Sequence, residues 1–511
     1  MTSLATSHLV TTGKRHSPAP SLVWGLLFFL SLALLLPLWL TSLVPLEPGR
    51  DPAALVAQYS VVGYSALRLS TIASRGRPDW VSLILFGYSY TWLGVAPTLQ
   101  YLAAKNPLGT SVDHSIVVIQ SLLVLLGLIA YDLGLGTTVR RRPKSDARFR
   151  TRLRQATARR YLSRRRVAVL GIATVILTPI FVQYLGGLEV LFTSRQARNE
   201  FLFSGGYYSS DSKATGAILT SVTSVLPFVA LYSIAFLFIS QSRVRQSGGW
   251  IALLLLVICS NILLNNPISS SRFWFLVIVL SLLFLFPWSR SQAGVRSITG
   301  GFVIGSIFVF PYLDAFRYTN AASTPAESGV VGTMLNKTDY DSMPQVGNLI
   351  SYVHSNGFSF GDNLLGSVFF MVPRSVWPSK PIDTGSVLAE YIRYGNANLS
   401  APLWGELYLS FGVVGVAVGF WVLGRIYGRF STSWNQGFGL TGLTTQLTVS
   451  TFFMIPVAVY LVLILRGSLL QSMSRFVVVV LLLWICTART RTSVLADAPS
   501  LVVARRDRHD K

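Results

Sequence analysis

The stretch SLVWGLLFFLSLALLLPLWLTSLV, residues 21–44, carries no charged side chain and follows Lys14, Arg15 and His16. As a helix it exceeds the roughly 20 residues that cross about 30 Å of hydrocarbon. It is longer than a signal-peptide core and has no clear small-residue cleavage site, so it reads as a retained first span. Similar runs recur outward from it. Spans are expected at 21–44, 54–71, 80–102, 115–137, 167–187, 215–240, 250–264, 273–288, 298–313, 408–427, 441–465 and 474–487. The expected fold class is an all-α polytopic membrane protein of about 12 transmembrane helices. Gln58 and several small residues dilute the second span. The seventh and eighth are short and joined by the segment Asn265 to Arg272, so a re-entrant hairpin is an alternative there.

Composition agrees. Of 511 residues, 51% are hydrophobic and 12% charged, against about 25% charged in soluble domains. The formal charge of +23 invites a nucleic-acid reading. The basic residues, however, cluster in short segments between apolar runs, as the positive-inside rule predicts, so no nucleic-acid partner is expected. With the N-terminus inside, the inner side holds 30 of the 43 Lys and Arg residues. Thirteen of them lie in 140–166 alone, with Asp146 as the single acid. That segment reads as an inner anchor fixing orientation, with a grip on anionic lipid as the functional alternative.

The resulting organisation is a cytoplasmic tail at 1–20 and a bundle at 21–313, with a basic inner loop at 138–166 and an outer loop at 187–216. A long extracytoplasmic loop at 314–407 follows, between the ninth and tenth spans. A second bundle at 408–487 leads to a basic cytoplasmic tail at 488–511. Both termini are expected inside. Cys259 and Cys486 lie in apolar runs and supply neither a disulfide framework nor a metal cluster.

The 314–407 loop is too polar to span and too long for a mere connection, and long ordered loops usually carry function. Arg374 sits between Pro373 and the Trp377-Pro378 pair, where prolines stiffen the backbone. Its guanidinium is a planar fork suited to phosphate oxygens, and Lys380 adds a point charge. Asp383, Glu390 and Glu406 are candidate general bases, as is His354. Trp377, Tyr391, Tyr394 and Trp404 suit sugar faces, although an interfacial belt explains them equally well. An Arg-x(10)-Gly spacing occurs at Arg195–Gly206 and again at Arg374–Gly385, in the two largest outer loops. Arg272, Asp314, Arg317, Glu406 and Arg466 gather at outer span ends. There a shared polar site competes with simple snorkelling to the headgroups.

No phosphate-binding Gly-x-x-x-x-Gly-Lys loop or Cys/His metal pattern is present. No cofactor is expected. Any driving energy must arrive with the substrate, as in an activated lipid-linked sugar.

The block Pro373-Arg374-Ser-Val-Trp377-Pro378-Ser-Lys380-Pro381 resembles the O-antigen or oligosaccharide repeat-unit polymerases of the Wzy type. So do Ala401-Pro-Leu-Trp404-Gly-Glu406 running on to Phe411-Gly412, Asn266-Pro267 to Arg272, and Leu465-Arg466-Gly467-Ser468. As sequence, the resemblance covers on the order of 60 residues, and such short motifs are only moderately specific. It implies an inner-membrane glycosyltransferase that joins undecaprenyl-diphosphate-linked repeat units on the outer face, without a nucleotide sugar. Its implied surroundings are the bilayer, a flippase and a chain-length regulator. Carried over, Arg374 and Arg195 would bind the diphosphates or an acidic glycan. Arg272 and Arg466 would join Arg374 around the leaving diphosphate, and Glu406 or His354 would deprotonate the acceptor hydroxyl. Lys380, Arg393 and Trp377 complete the expected substrate-binding set, and Arg198 and Arg393 stand as neighbours to the two favoured arginines. An O-antigen ligase-like enzyme and, from another class, a lipid-linked oligosaccharide flippase are the alternatives. Short loops and charged mid-spans are the marks of the latter, and neither fits this sequence.

Overall fold

The computed structural model describes residues 22–110, 113–140, 160–204, 213–312, 325–395, 399–437 and 449–489. The expected tails at 1–20 and from 490 onward, most of the basic loop, Gly206, Tyr207, Tyr208, Asp211, Asp314 and Arg317 lie outside them. Each expected span overlaps a helix among the described residues, and 441–448 of the eleventh lie outside them. Seven helices are long and apolar enough to cross a membrane: Leu22–Thr41, His114–Thr137, Arg164–Tyr184, Leu219–Ser240, Gln292–Tyr312, Leu403–Phe430 and Val449–Arg466. Three shorter apolar helices are Gly248–Leu264, Arg272–Leu283 and Leu469–Ile485. The helix Pro52–Arg75 and the helical stretch 80–102 fill the second and third expected positions. Arg272–Leu283 has 12 residues. That is about 18 Å of helix, too short to cross alone.

Large apolar side chains such as Leu26, Ile172, Ile176, Ile180, Val418 and Leu481 point outward. In water so much exposed apolar surface would be an aggregation hazard. Against lipid tails it is the expected outer face of an all-α membrane protein. Packing within the bundle uses small residues. A Cβ on Gly134 would lie 2.1 Å from the Trp421 carbonyl oxygen, and one on Gly424 would lie 2.0 Å from that of Tyr131. Glycine at both positions lets the His114–Arg140 and Leu403–Gly437 helices touch backbone to backbone.

Contacts sort the connections onto two ends. Arg160–Leu162 pairs antiparallel with Thr487–Arg489, so the basic loop and the C-terminal segment share one end. At the other end, Glu47 N–H donates to the Leu102 carbonyl, and Arg198 reaches Ser269 and Ser270. The 314–407 segment folds over this second end. Its described residues form the helices Pro325–Asn336, Ser342–Asn356, Asp362–Val368 and Thr384–Tyr391.

The tenth span begins earlier than its hydropathy suggests, with the helix starting at Leu403 rather than 408. Glu406 N–H already donates to the Pro402 carbonyl. Helix start here follows Pro402, which has no N–H to lose at a helix N-terminus, and not the polarity of Glu406. The helix then breaks direction at Phe411 and Gly412, where Gly412 takes a φ of 62°.

Candidate functional site

Three consecutive residues after Leu403 are each committed to a different neighbour. Trp404 is fully buried, and its indole N–H donates to the Val124 carbonyl at 3.2 Å. Gly405 lies against Leu349, where an added Cβ would come within 2.2 Å of a methyl group. Glu406, 1% exposed, faces the Asp362–Val368 helix and the N-terminus of Leu469–Ile485. One carboxylate oxygen accepts Asn363 Nδ2 at 2.6 Å and the other accepts Leu469 N–H at 3.1 Å. The second bond places the carboxylate at the positive end of a helix, where negative charge is stabilised. Asn363 is itself held, its Oδ1 accepting from Ser359 and Ser410 at 2.7 and 2.8 Å.

Asp383 adjoins this carboxylate. It caps the Thr384–Tyr391 helix and accepts the Ser468 hydroxyl. Ser468 in turn caps the Leu469–Ile485 helix. Burial raises the Asp383 carboxyl above its ordinary range, partly offset by the bonds from Ser468 and Ser386. Gly385, the end of one Arg-x(10)-Gly spacing, is explained by packing here. A Cβ at this position would sit 2.4 Å from the Leu399 carbonyl oxygen.

Two residues before Ser468, Arg466 enters a second cluster. Its Nη2 lies 3.6 Å from Asp339 and 3.8 Å from Asp341, and it donates to the Thr338 carbonyl at 3.1 Å. Arg272 pairs with the other oxygen of Asp339. Both guanidiniums lie over aromatic rings, Arg466 at 4.6 Å from Phe273 and Arg272 at 5.0 Å from Phe310. Asp341, 1% exposed, also accepts the Ser400 hydroxyl at 2.6 Å. Burial raises its carboxyl above the ordinary range, and Arg466 and Ser400 pull it back down. The Ala401 N–H donates to the Arg466 carbonyl and joins the two clusters. The result is one polar strip: Arg272, Asp339, Arg466, Asp341 and Ser400, then Ser468, Asp383, Glu406 and Asn363.

Of the residues singled out from sequence, Arg272, Arg466 and Glu406 therefore meet in this strip. Arg374 is exposed, and its guanidinium donates to the Lys380 and Pro381 carbonyls at 2.6 and 3.1 Å. Lys380 donates to Phe370 and Val372 carbonyls at 2.6 and 2.9 Å. Burial and the adjacent Arg374 charge lower its pKa. Those bonds staple the proline-rich loop that precedes Asp383. Trp377 is half-buried, with its indole N–H on Ser379, while Arg393 and His354 are exposed. Arg195 begins the Arg195–Ser204 helix half-buried, and its neighbour Arg198 is the buried one, at 6% exposure. The sequence reading missed Asp339, Asp341, Asn363 and Ser400, and named Ser468 only within the Leu465–Ser468 block. A hint lay in Thr338-Asp339-Tyr340-Asp341, two acids in a loop opposite span-end arginines. Their partners are far away in sequence, and spacing does not reveal such pairs.

No family model and no solved structure matches the chain. Among curated proteins, the O-antigen polymerases of Salmonella typhimurium (strain LT2) and Salmonella typhi are each 33% identical to it over 105 residues. Each alignment covers 19% of this chain and 23% of the relative, less than a quarter of that protein's length.

Proposed function

We propose that this chain polymerises lipid-diphosphate-linked oligosaccharide repeat units on the outer face of the cytoplasmic membrane. The observation that carries the reading is the polar strip itself: two span-end guanidiniums converge on Asp339 beside a buried carboxylate set. The similarity to O-antigen polymerases and the all-α membrane architecture support it. In the proposed reaction, an acceptor sugar hydroxyl on one lipid-linked unit attacks the anomeric carbon of the glycan held on another. The bond from that carbon to the phosphate oxygen breaks, and its electron pair leaves on the lipid diphosphate. Arg272 and Arg466 meet the growing charge on the leaving group, exchanging their carboxylate partners for phosphate oxygens. Arg374 and Lys380, on a braced exposed loop, and Arg195, on the neighbouring connection, attract the anionic substrates. Glu406 takes the acceptor proton in preference to His354, because Glu406 lies in the strip and His354 is exposed at a helix end. No nucleotide sugar is required.

The test is the length profile of lipid-linked and surface glycan after deletion of the gene. Wild type must restore long chains, and Arg466→Ala must leave single repeat units. Full-length polymer stranded on its lipid carrier after deletion would instead identify a ligase. Repeat units held on the inner leaflet would identify a flippase.

A further inference from the structure

Inside the polar 314–407 segment lies a stretch without charge, NLLGSVFFMVP at 363–373, bracketed by Asp362 and Arg374. Every exposed side chain in it is apolar: Leu365, Val368, Phe369, Met371 and Pro373. Phe360 and Val376 extend the patch at either end, and the large side chains of the set are 49 to 77% exposed. The polar side chains of the stretch turn the other way. Asn363 and Ser367 are buried, Asn363 bonded to Glu406 and the Ser367 hydroxyl donating to the Asn363 carbonyl at 2.8 Å. The Asp362–Val368 helix therefore has a polar face on the strip and an apolar face with no protein against it. An exposed apolar patch of this kind marks an interaction surface.

The occupant follows from what the patch adjoins. The preceding turn is fixed to the tenth span. Ser359 N–H donates to the Leu409 carbonyl at 2.9 Å, just before the helix breaks at Phe411 and Gly412. The Phe358 ring lies 6.1 Å from that of Tyr408, and a Cβ on Gly361 would come within 2.9 Å of the Phe411 ring. Phe411, Val413 and Val414 are themselves exposed, and they belong to a helix long and apolar enough to cross a membrane. The apolar surface thus runs without a polar border from the lipid-facing side of the span onto the patch. On its other side the Asp362–Val368 helix packs on the apolar helix Leu469–Ile485.

The backbone points the same way. Peptide groups at hydrocarbon depth need partners within the protein. Phe369 N–H donates to the Leu365 carbonyl at 2.8 Å and Val372 N–H to the Phe369 carbonyl at 3.0 Å. The Lys380 ammonium, from the following loop, meets the carbonyls of Phe370 and Val372. In water those two carbonyls would be solvated unaided, so a lysine bonded to both matters where water is absent.

We infer that residues 363–373 are inserted in the adjacent leaflet of the bilayer, with their apolar face against the acyl chains. Asp362 and Arg374 mark the headgroup level at either end, and half-buried Trp377 sits beside Arg374, where indoles favour the interface. Part of the long loop is thus a membrane element. Glu406 lies behind a single helix about 10 Å across, with lipid on the far side. The inference rests on the membrane architecture and not on the reaction, so its failure leaves the polymerase reading standing.

The test places an environment-sensitive fluorophore on single cysteines in the full chain, reconstituted in phosphatidylethanolamine–phosphatidylglycerol vesicles. Cys259→Ser removes the exposed native thiol, and buried Cys486 stays as the labelling blank. Phe369→Cys and Met371→Cys probe the stretch, and both replace exposed side chains, so the two report independently should one fail to fold. Asn356→Cys, at an exposed helix end, is the water reference, and Val418→Cys, on the outward face of the tenth span, is the lipid reference. Labels at 369 and 371 are expected to be quenched several-fold more by acyl-chain nitroxide lipid than by aqueous iodide, as at 418, with the reverse at 356. Iodide quenching at 369 and 371 equal to that at 356 would put the stretch in water and overturn the inference. Protection from both quenchers would show that protein, from this chain or a second copy, covers the patch, and would overturn it as well.

Discussion

Arg466 and Asp339 approach within 3.6 Å, and the same aspartate pairs through its other oxygen with Arg272. One loop carboxylate thus bridges two span-end cations from different helices. With Asp341 the set is charge-neutral, which is how four ionisable groups persist with little exposure. Removing one partner leaves its mate buried and unpaired, typically at about 3–5 kcal/mol. Asp339→Leu should lower the melting temperature sharply in detergent. The double variant Arg272→Met/Asp339→Leu should lose less than Asp339→Leu alone, because it deletes a pair rather than stranding a cation. Additive losses would contradict a coupled pair.

Glu406→Gln tests the carboxylate separately from the fold. Glutamine keeps one acceptor but turns an N–H₂ toward either Asn363 Nδ2 or Leu469 N–H, both of which donate. The mismatch should cost about 1–3 kcal/mol of stability. Turnover should fall by about 10²–10⁴ if the carboxylate accepts the acceptor proton. A folded variant with wild-type turnover would leave Glu406 as a structural group only.

The span-end location of Arg272, Arg466 and Glu406 was legible, since charge interrupting an apolar run stands out. Their counter-charges were not, because Asp339 and Asp341 become partners only when the 314–407 segment folds back on the bundle. The same limit applies to Arg374. Its prolines announced a stiff loop, and the structure shows that stiffness as two backbone acceptors on its guanidinium. Whether the loop faced the polar strip depended on Asp383 meeting Ser468, a pairing across 85 residues. The apolar helices, by contrast, were legible in local hydropathy, whereas the four helices inside 314–407 were not. The early start of the tenth span, at Leu403, follows from a proline that hydropathy does not weigh.

Gly134→Ala and Gly424→Ala should each separate the helices that carry Tyr131 and Trp404. Added methyls there meet backbone carbonyls at about 2 Å, and carbonyls cannot rotate away as side chains do. Overpacking of this kind costs about 1–3 kcal/mol or more. Activity should fall with stability, since Glu406 rides on the displaced helix. Gly136→Ala, with no atom within 4 Å of its Cβ, is the control and should melt like wild type.

Asp383 gives the account a pH signature. Burial raises its carboxyl above the ordinary 3.8. The folded chain therefore holds the proton more tightly than the unfolded one, and ionisation penalises folding. The penalty is absent below the ordinary value and is complete once pH has risen through the elevated folded value. Asp383→Asn cannot ionise, so the melting temperature of wild type relative to this variant should fall as pH rises above the ordinary carboxylate value of 3.8. A difference independent of pH would show that the carboxyl is not held above its ordinary range.

The most direct measurement is reconstitution of the purified chain in liposomes with lipid-linked repeat units as the sole substrate and no nucleotide sugar. The account predicts a ladder of lengthened lipid-linked glycan, with one undecaprenyl diphosphate released per bond formed. It also predicts loss of that ladder in Arg466→Ala protein that still melts cooperatively. Intact wild-type protein that leaves every repeat unit single, or a ladder undiminished in Arg466→Ala, would contradict it.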